Sequence, residues 1–305
     1  MRISALAKLG LIASLVAAAF VVAPSAFAAP IACGSVISTS GHYVLHKSIW
    51  HCAAAKAIEI NADNVVLDLN GKTVDGDALG CSPCQVGVFV DPHSGVVVKN
   101  GTVRQFWNGV VFNNVSNGRI LSLTGVGNRH GLRLDSGANG NLIKSNTITG
   151  GDNGITMDAA INNTITKNHL SAGNSSGIYL YGGSGNTITQ NTMSGYGHEG
   201  IHALGSTTGN TIANNKALNN DVDGIQLDST TTANHVTNNA ANNNGADGVN
   251  AQPAADPSTV ISGNTAKNNV ALGIDGAGVT DGGGNTATGN GNAHECTSNF
   301  SCFVP

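Results

Sequence analysis

Charged and aromatic residues are scarce in this sequence. Asp, Glu, Lys and Arg together make up only 10% of the 305 residues, and Phe, Trp and Tyr make up only 4%. One compact globule of this length needs more large side chains to fill its core, so that fold class is disfavoured. Stretches with helical periodicity are also missing beyond the first 28 residues, which disfavours helical folds. Small residues are abundant instead, including 41 glycines, and they suit tight bends around a thin interior.

Basic residues are few as well, and two of them belong to a leader. Arg2 and Lys8 flank the start of an apolar stretch over 9–22, which the small residues Ala-Phe-Ala follow at 26–28. This pattern predicts a secretory signal peptide over 1–28, because the apolar stretch is too short to span a bilayer. The remaining 12 basic residues are outnumbered by 18 acidic ones, which argues against nucleic acid as a partner. We expect a secreted or periplasmic monomer without a stable membrane anchor.

Six cysteines follow the leader in three sequence-local pairs. The pairs are Cys33 with Cys52, Cys81 with Cys84, and Cys296 with Cys302. An even number of cysteines in an exported chain indicates disulfides, and nearest-neighbour pairing is the simplest connectivity. The C-x-x-C formed by Cys81 and Cys84 could instead be a redox or metal motif, although it lacks a βαβ context and a second C-x-x-C.

A short phrase, a glycine followed by a branched apolar residue, restarts nine times along the chain. The restarts are Gly87, Gly109, Gly131, Gly154, Gly177, Gly200, Gly224, Gly248 and Gly273, at steps of 22 to 25 residues. Asn-Thr-Ile follows at a nearly fixed offset, beginning at Asn163, Asn186 and Asn210, and another Asn recurs five residues later, at Asn168, Asn191 and Asn215. A period in the twenties predicts one supersecondary unit stacked on copies of itself.

The repeat over 154–176 indicates what that unit is. Ile155 and Met157 alternate with polar residues, which predicts a strand with one buried side. Two more short strands follow before the next glycine. We therefore predict an all-β fold, a single-stranded right-handed parallel β-helix of about ten coils over 57–290, with Asn side chains stacked in ladders. Residues 29–56 and 291–305, stapled by disulfides, are expected to cap its open edges.

Two sets of motifs resemble a known superfamily. The stretches 43–45, 58–60 and 64–71 resemble the opening of secreted right-handed β-helix proteins. The later Gly-Ile-x-Leu and Asn-Thr-Ile-x-x-Asn repeats are similar to the pectate-lyase-like superfamily and its NosD-type carbohydrate-binding repeats. The resemblance covers the chain beyond the leader and implies the fold. It leaves the activity open, because the superfamily includes polysaccharide lyases, hydrolases, epimerases and proteins without catalysis.

Stacking places residues of equal offset from the glycine in columns about 4.8 Å apart. Offsets +2 and +4 should face solvent, and the turn just before the glycine adds further side chains to the same face. In the four coils that begin at Gly131, Gly154, Gly177 and Gly200, this face collects side chains that are rare elsewhere. Our candidate catalytic residues are Asp135, Asp158, Tyr179, His198, His202 and Arg133. Our candidate substrate-binding residues are Trp107, Arg129, His130, Asp152, Tyr181, Glu199 and Asp228. Such a face would suit an extended polysaccharide, although a merely solvated face would also be polar.

Two mechanisms compete on this face. Asp135 and Asp158 could act as the paired carboxylates of glycoside hydrolysis. Alternatively, a Tyr or His abstracts the C5 proton of a uronic acid while Arg129 or Arg133 neutralises the carboxylate, as in a lyase or epimerase. No cofactor is predicted and no metal site is assigned. Calcium at Asp152/Asp158 or Asp221/Asp223 is a minor alternative.

A non-catalytic glycan-binding or interaction scaffold is the rival hypothesis, because no catalytic motif is intact. Glu199 interrupts a Gly-His-Gly motif like that of polygalacturonases at 197–200. The sequence at 91–93, Asp-Pro-His, resembles a motif of alginate C5-epimerases. Val88, however, occupies the position of that family's catalytic Tyr. We therefore interpret 91–93 as an ordinary turn of the repeat.

Overall fold

The computed structural model describes residues 30–77, 85–251 and 256–304. The predicted signal peptide, Cys81 and Cys84 lie outside the described residues. The chain winds into a right-handed parallel β-helix of eleven coils, close to the ten expected, and each strand pairs in parallel with its copy in the next coil. Within the described ranges, no helix is long and apolar enough to cross a membrane.

Three sheets, which we call faces A, B and C, run along the rod. The strands of face A are Ser35–Ile37, Lys56–Ile60, Val86–Val90, Asn108–Phe112, His130–Leu134, Asn153–Asp158, Ile178–Tyr181, Ile201–Leu204, Ile225–Leu227, Val249–Ala251 and Ile274–Asp275. Face A therefore contains one strand from every coil, including a coil formed by residues 35–52 within the segment expected to cap the N-terminal end.

Faces B and C share two long strands, Val97–Arg104 and Arg119–Val126, which bend from one face to the other. The other strands of face B are Gly41–Val44, Val65–Asp68, Leu142–Lys144, Thr164–Thr166, Thr187–Thr189, Thr211–Ala213, His235–Thr237, Val260–Ser262 and Thr280–Asp281. The other strands of face C are Ile49–Cys52, Thr73–Gly76, Thr147–Thr149, His169–Ser171, Thr192–Ser194, Lys216–Leu218, Ala240–Asn242, Thr265–Lys267 and Thr286–Thr288.

The repeated glycine is required by the close approach of neighbouring coils. A Cβ atom added at Gly154 or Gly177 would lie 2.6 Å from the carbonyl oxygen of the glycine in the next coil, so only glycine fits there. Positive φ angles occur instead at the bends between faces, as at Asn162 (54°) and Lys167 (57°). The repeat thus combines one position of tight packing with separate bend positions.

The predicted Asn ladders are confirmed. In the ladder through Asn168, its Nδ2 donates to the carbonyl oxygen of Ile143 at 3.0 Å and to Oδ1 of Asn191 at 2.9 Å. Its backbone N–H donates to the same Oδ1 at 3.0 Å. This ladder comprises Asn146, Asn168, Asn191, Asn215, Asn239, Asn264 and Asn285, and a second comprises Asn141, Asn163, Asn186, Asn210 and Asn234. The ladders satisfy buried backbone groups at the bends, which would otherwise cost stability.

Disulfides lie at both ends of the rod. Cys33 bonds to Cys52 and Cys296 bonds to Cys302, which confirms nearest-neighbour pairing for these four cysteines. The first bond joins the start of the opening coil to the end of its face C strand, and the second lies in the segment that follows the last coil. Both bonds therefore restrain terminal segments, where fraying would begin.

Candidate functional site

The register along face A is the predicted one. Arg133, Thr156, Tyr179, His202 and Gln226 are partners in successive coils. The residues that alternate with them point inward and are buried, including Ile155, Met157, Ile178 and Leu180. The sequence therefore places these five variable residues on the correct side of this sheet. Two residues of the same column are nevertheless buried by their neighbours, because Val111 is 3% and Thr156 6% exposed.

A depression of about 500 Å³ opens on face A across the coils that begin at Gly131, Gly154 and Gly177. Its lining residues are Arg129, His130, Arg133, Asp152, Asn153, Thr156, Asp158, Ser175, Tyr179 and Tyr181. Seven of these ten are residues that the sequence singled out as site candidates. Asn153, Thr156 and Ser175 were missed because Asn, Thr and Ser are common all over the rod, and only their register places them here.

Both arginines of the depression are bound by carboxylates. Nε of Arg129 lies 2.8 Å from Oδ2 of Asp152, and the Arg129 guanidinium stacks on the Trp107 ring at 3.9 Å. Arg133 contacts Asp135 through Nε, and its Nη2 lies 3.8 Å from Oδ2 of Asp158. The two predicted acid–base carboxylates thus meet at one guanidinium. Each arginine uses its Nε in the bond to its carboxylate, so its positive charge is already balanced within the protein while its Nη groups keep N–H donors for a ligand.

His130 contributes an uncharged imidazole to the lining of the depression. Burial, with help from the charges of Arg133 and Arg129, lowers the pKa of His130 from 6.5 to about 4. Its Nδ1 lies 3.3 Å from Oγ1 of Thr156 and 3.4 Å from Nδ2 of Asn153. If Nδ1 accepts from these groups, Nε2 carries the proton and is a hydrogen-bond donor.

Two tyrosines form the far wall of the depression. Tyr181 is 51% exposed, and its ring lies beside Gly205 of the next coil, where a Cβ would come within 2.8 Å of it. Tyr179 is half-buried and meets the ring of His202 edge to face, at 5.7 Å between centroids. Burial raises the pKa of Tyr179 above its usual value, which favours the neutral phenol. The wall therefore offers one open aromatic surface and one hydroxyl.

His202 lies between two carboxylates beside that wall. Its Nε2 is 3.2 Å from Oδ1 of Asp228, and its Nδ1 is 3.4 Å from Oε2 of Glu199. Glu199 is only 4% exposed, and it accepts a hydrogen bond from Oγ of Ser176 at 2.9 Å. Glu199, a predicted substrate contact, therefore reaches the surface only through His202. His198, by contrast, is exposed and lies outside the lining of the depression.

A column of buried carboxylates continues from Glu199 toward the C-terminal end. Asp223 and Asp247 occupy the position before the glycine in the next two coils and are 2% and 9% exposed. Asp223 accepts from the backbone N–H of Asp247 at 2.7 Å, and Asp247 accepts from that of Leu272 at 2.6 Å. Burial raises the pKa of both, that of Asp247 to about 6. These carboxylates cap backbone donors, so a structural role accounts for them.

The Asp-Pro-His sequence at 91–93 lies in a turn that is held by hydrogen bonds, as expected from the sequence. The two ring nitrogens of His93 lie 3.1 Å from the side-chain oxygens of Asp63 and Asn61. Asp63 also accepts the backbone N–H of Ser94 at 2.8 Å. Hydrogen bonds to Ser94 and His93 lower the pKa of Asp63, which favours the carboxylate form that these contacts use.

The fold and the groove define the class: a right-handed parallel β-helix protein with a polar and aromatic depression on one face. A family model described as "Periplasmic copper-binding protein (NosD)" matches residues 58–223, and a model of the right-handed β-helix region matches 174–292. The first match covers more than half of the chain, which therefore belongs to the NosD family. No curated protein matches the sequence significantly.

Solved structures show the same fold at low sequence identity. The Dettilon tailspike protein is 19% identical, with a TM-score of 0.60, over 89% of this chain and 58% of its own. A double mutant of the periplasmic alginate epimerase AlgG is 14% identical, with a TM-score of 0.58, over 82% of this chain and 65% of its own. The chain thus spans less than two thirds of either protein.

The described residues do not fit the copper ion of the family description. Copper sites use imidazole nitrogens and thiolate or thioether sulfurs. No group of three or more His, Cys, Asp or Glu side chains in the described part of the chain is placed to hold a metal ion. Cys33, Cys52, Cys296 and Cys302 are in disulfides, and both nitrogens of His202 face carboxylates. We assign no step to copper.

Proposed function

We propose that this protein binds an extended polysaccharide outside the cytoplasm, along the groove of face A between Trp107 and Asp228. The depression lined by Arg129 to Tyr181 carries this proposal, because charged and aromatic side chains are concentrated there in a chain that has few of either. Two disulfides and the periplasmic family description agree with an oxidising location.

The lining suits sugar rings. Tyr181 presents half of its surface to solvent, and aromatic rings of this kind stack on the apolar faces of sugars. Around it, the side chains of Asn153, Ser175 and His130 offer neutral donors and acceptors for hydroxyl groups. Because successive coils repeat along the rod, a linear glycan lying parallel to the axis would meet a new set of side chains in each coil.

Binding is better supported than turnover. Asp135 and Asp158 both lie against Arg133, so this pair already serves to balance the charge of an arginine, and its role as the acid and base of glycoside hydrolysis stays a prediction. Tyr179, His198, His202 and Arg133 remain predictions as catalytic residues. Turnover is tested separately, by measuring reducing ends and the ultraviolet absorbance of unsaturated products after incubation with each polysaccharide. The appearance of either product would show that the groove is catalytic.

Affinity electrophoresis of the mature protein tests the binding proposal. The gels would contain glucomannan, arabinoxylan, β-glucan, polygalacturonate or alginate. We expect at least one polysaccharide to retard the protein, and we expect the double variant Tyr179→Ala/Tyr181→Ala to lose most of that retardation. The matched control is Trp50→Ala, which removes an aromatic side chain that is 55% exposed outside face A. No retardation in any gel, or equal loss in the control, would overturn the proposal.

A further inference from the structure

We propose that the groove selects an uncharged polysaccharide and discriminates against polyuronates. This inference rests on the proposed function and adds a substrate class to it. It follows from how the charges of face A are arranged, which differs from what a site for an anionic polymer requires. Such a site needs unpaired cations or free backbone donors along the path of the polymer.

The cations of the groove are already neutralised. Arg129 is held by Asp152 at 2.8 Å, and Arg133 is held by Asp135 with Asp158 next to it. Two arginines of the depression thus face three carboxylates, Asp152 and Asp158 in its lining and Asp135 beside it. A uronate that approached either guanidinium through its remaining N–H groups would meet the carboxylate already bound there, in a cluster with more carboxylates than arginines.

The surrounding charges are overwhelmingly acidic. On the strands of face A from Asn108 onward, in the turns that precede them, and at the residue directly after them, the carboxylates are Asp135, Asp152, Asp158, Glu199, Asp221, Asp223, Asp228, Asp247 and Asp275. The arginines of the same region are Arg129 and Arg133 alone. Neighbouring coils lie about 4.8 Å apart, within the screening length of about 8 Å at physiological salt. A chain with one negative charge per sugar would therefore meet like charge in coil after coil.

The histidines do not reverse this balance. His130 stays uncharged at neutral pH, because burial and the two arginines lower its pKa to about 4. Even a protonated His202 would lie between the carboxylates of Asp228 and Glu199. His198 is exposed and outside the lining of the depression.

What the groove offers is suited to hydroxyl groups. Asn153, Thr156, Ser175 and Tyr179 are neutral, and the ion-paired carboxylates keep lone pairs that accept hydrogen bonds from sugar hydroxyls. A neutral glycan thus finds donors, acceptors and one aromatic surface without breaking an ion pair. These neutral hydrogen-bonding groups, next to an excess of carboxylates, favour binding of a neutral glycan over an anionic one.

Binding constants for two groups of probes test the inference. The neutral probes are glucomannan, arabinoxylan and β-glucan, and the anionic probes are polygalacturonate and alginate, each measured at about 20 mM and about 300 mM NaCl. We expect a neutral probe to bind at least about tenfold more tightly than either polyuronate, with little dependence on salt. Tighter binding of a polyuronate, weakened by salt, would overturn the inference but leave the proposed function intact. The absence of binding to every probe would overturn the proposed function itself, and this inference with it.

A charge variant tests the cause. In Asp135→Asn/Asp158→Asn, Arg133 loses both carboxylates, so we expect affinity for polygalacturonate at low salt to rise by about tenfold or more. The control Asp63→Asn/Asp77→Asn makes the same change in net charge at exposed positions away from the groove. An equal rise in the control, or no rise in the groove variant, would show that ion pairing in the depression does not set selectivity.

Discussion

Face B differs from face A in what its central coils keep constant. On face B the same position holds Thr164, Thr187 and Thr211 in successive coils, and two Asn ladders run through the bends of these coils. On face A the outward position two residues after the repeated glycine changes from Tyr179 in one coil to His202 in the next. The backbone and pairing are the same, so the fold does not require this variation. The comparison separates the residues that build the rod from those available to a ligand.

The largest effect should come from breaking a ladder. Asn191 makes hydrogen bonds at 2.9 Å to the carbonyl oxygen of Ile165 and at 3.0 Å to Oδ1 of Asn215, and its own Oδ1 accepts two from Asn168. Asn191→Ala leaves these buried groups unpaired and opens a small cavity. We expect it to lower the free energy of unfolding by about 3 kcal/mol or more, as measured by urea denaturation.

The matched control is Asn174→Ala, which removes an exposed Asn side chain of the same rod. It should change the free energy of unfolding by less than about 0.5 kcal/mol. Glycan affinity should be unchanged in folded Asn191→Ala. Equal destabilisation by the two variants would mean that the ladders are not what holds the coils together.

The second prediction concerns a position where a ladder stops. Asn220, Asn244, Asn269 and Asn290 form a third ladder, and Tyr196 occupies the equivalent position one coil earlier, where its N–H still donates to Asn220. Within the described residues, the buried Tyr196 hydroxyl has no hydrogen-bond partner.

Tyr196→Phe removes that unpaired hydroxyl and should therefore raise the free energy of unfolding by about 1–2 kcal/mol. Tyr43→Phe is the control, because the Tyr43 hydroxyl lies 2.7 Å from Oγ1 of Thr39, and its loss should be neutral or destabilising. Thermal unfolding of both variants would measure the difference. A destabilised Tyr196→Phe would contradict this account of the interior.

The third prediction concerns the outer surface of face A. Tyr181 is half exposed and contributes little to the core, so Tyr181→Ala should leave the free energy of unfolding within about 0.5 kcal/mol of the unmodified protein. Loss of one stacking surface should weaken binding of a neutral polysaccharide by about tenfold. Isothermal titration together with urea denaturation would measure both. A stability loss with unchanged affinity would assign Tyr181 to the rod and remove it from the groove.

The smallest effect should come from Asp247, a buried carboxylate in the turn just before a strand of face A. Burial raises the pKa of Asp247 to about 6, so the folded state binds its proton more tightly than the unfolded state does. Its contribution to stability is therefore largest below about pH 4 and declines as the pH rises to about 6.

Asp247→Asn removes this dependence while keeping an acceptor for the N–H of Leu272. At pH 7.5 it should be about 1 kcal/mol more stable than the unmodified protein, and at pH 4 the two should agree. Asp221→Asn, at an exposed position, should show no such difference between the two pH values. Identical urea midpoints for Asp247→Asn and the unmodified protein at pH 7.5 would show that this carboxylate is not penalised by burial.

The sequence predicts the rod well because the same short pattern of residues recurs in every coil and sets how neighbouring coils pair. A period of 22 to 25 residues fixes the neighbour of every residue, so the register that joins Tyr179 to His202 can be predicted from the positions of the glycines alone. The Asn ladders follow from the same register.

The site is predicted less completely because it depends on side-chain directions. Periodicity does not reveal that Glu199 turns inward to Ser176, or that Arg133 binds both carboxylates expected to act as acid and base. Nor does it distinguish Asn153 from the many other Asn residues of the bends. These features arise from rotamers and local burial, which differ between coils that have the same backbone.

The most direct test of the account is a titration of the ¹⁵N-labelled mature protein with a neutral hexasaccharide, either mannohexaose or xylohexaose, followed by amide chemical shifts. We predict shifts concentrated at His130, Thr156 and Tyr179 and weak along faces B and C, with galacturonate hexasaccharide producing little change. Shifts confined to faces B and C, or none at face A with either neutral sugar, would contradict the division between residues that repeat from coil to coil to build the rod and residues of face A that vary and bind a ligand.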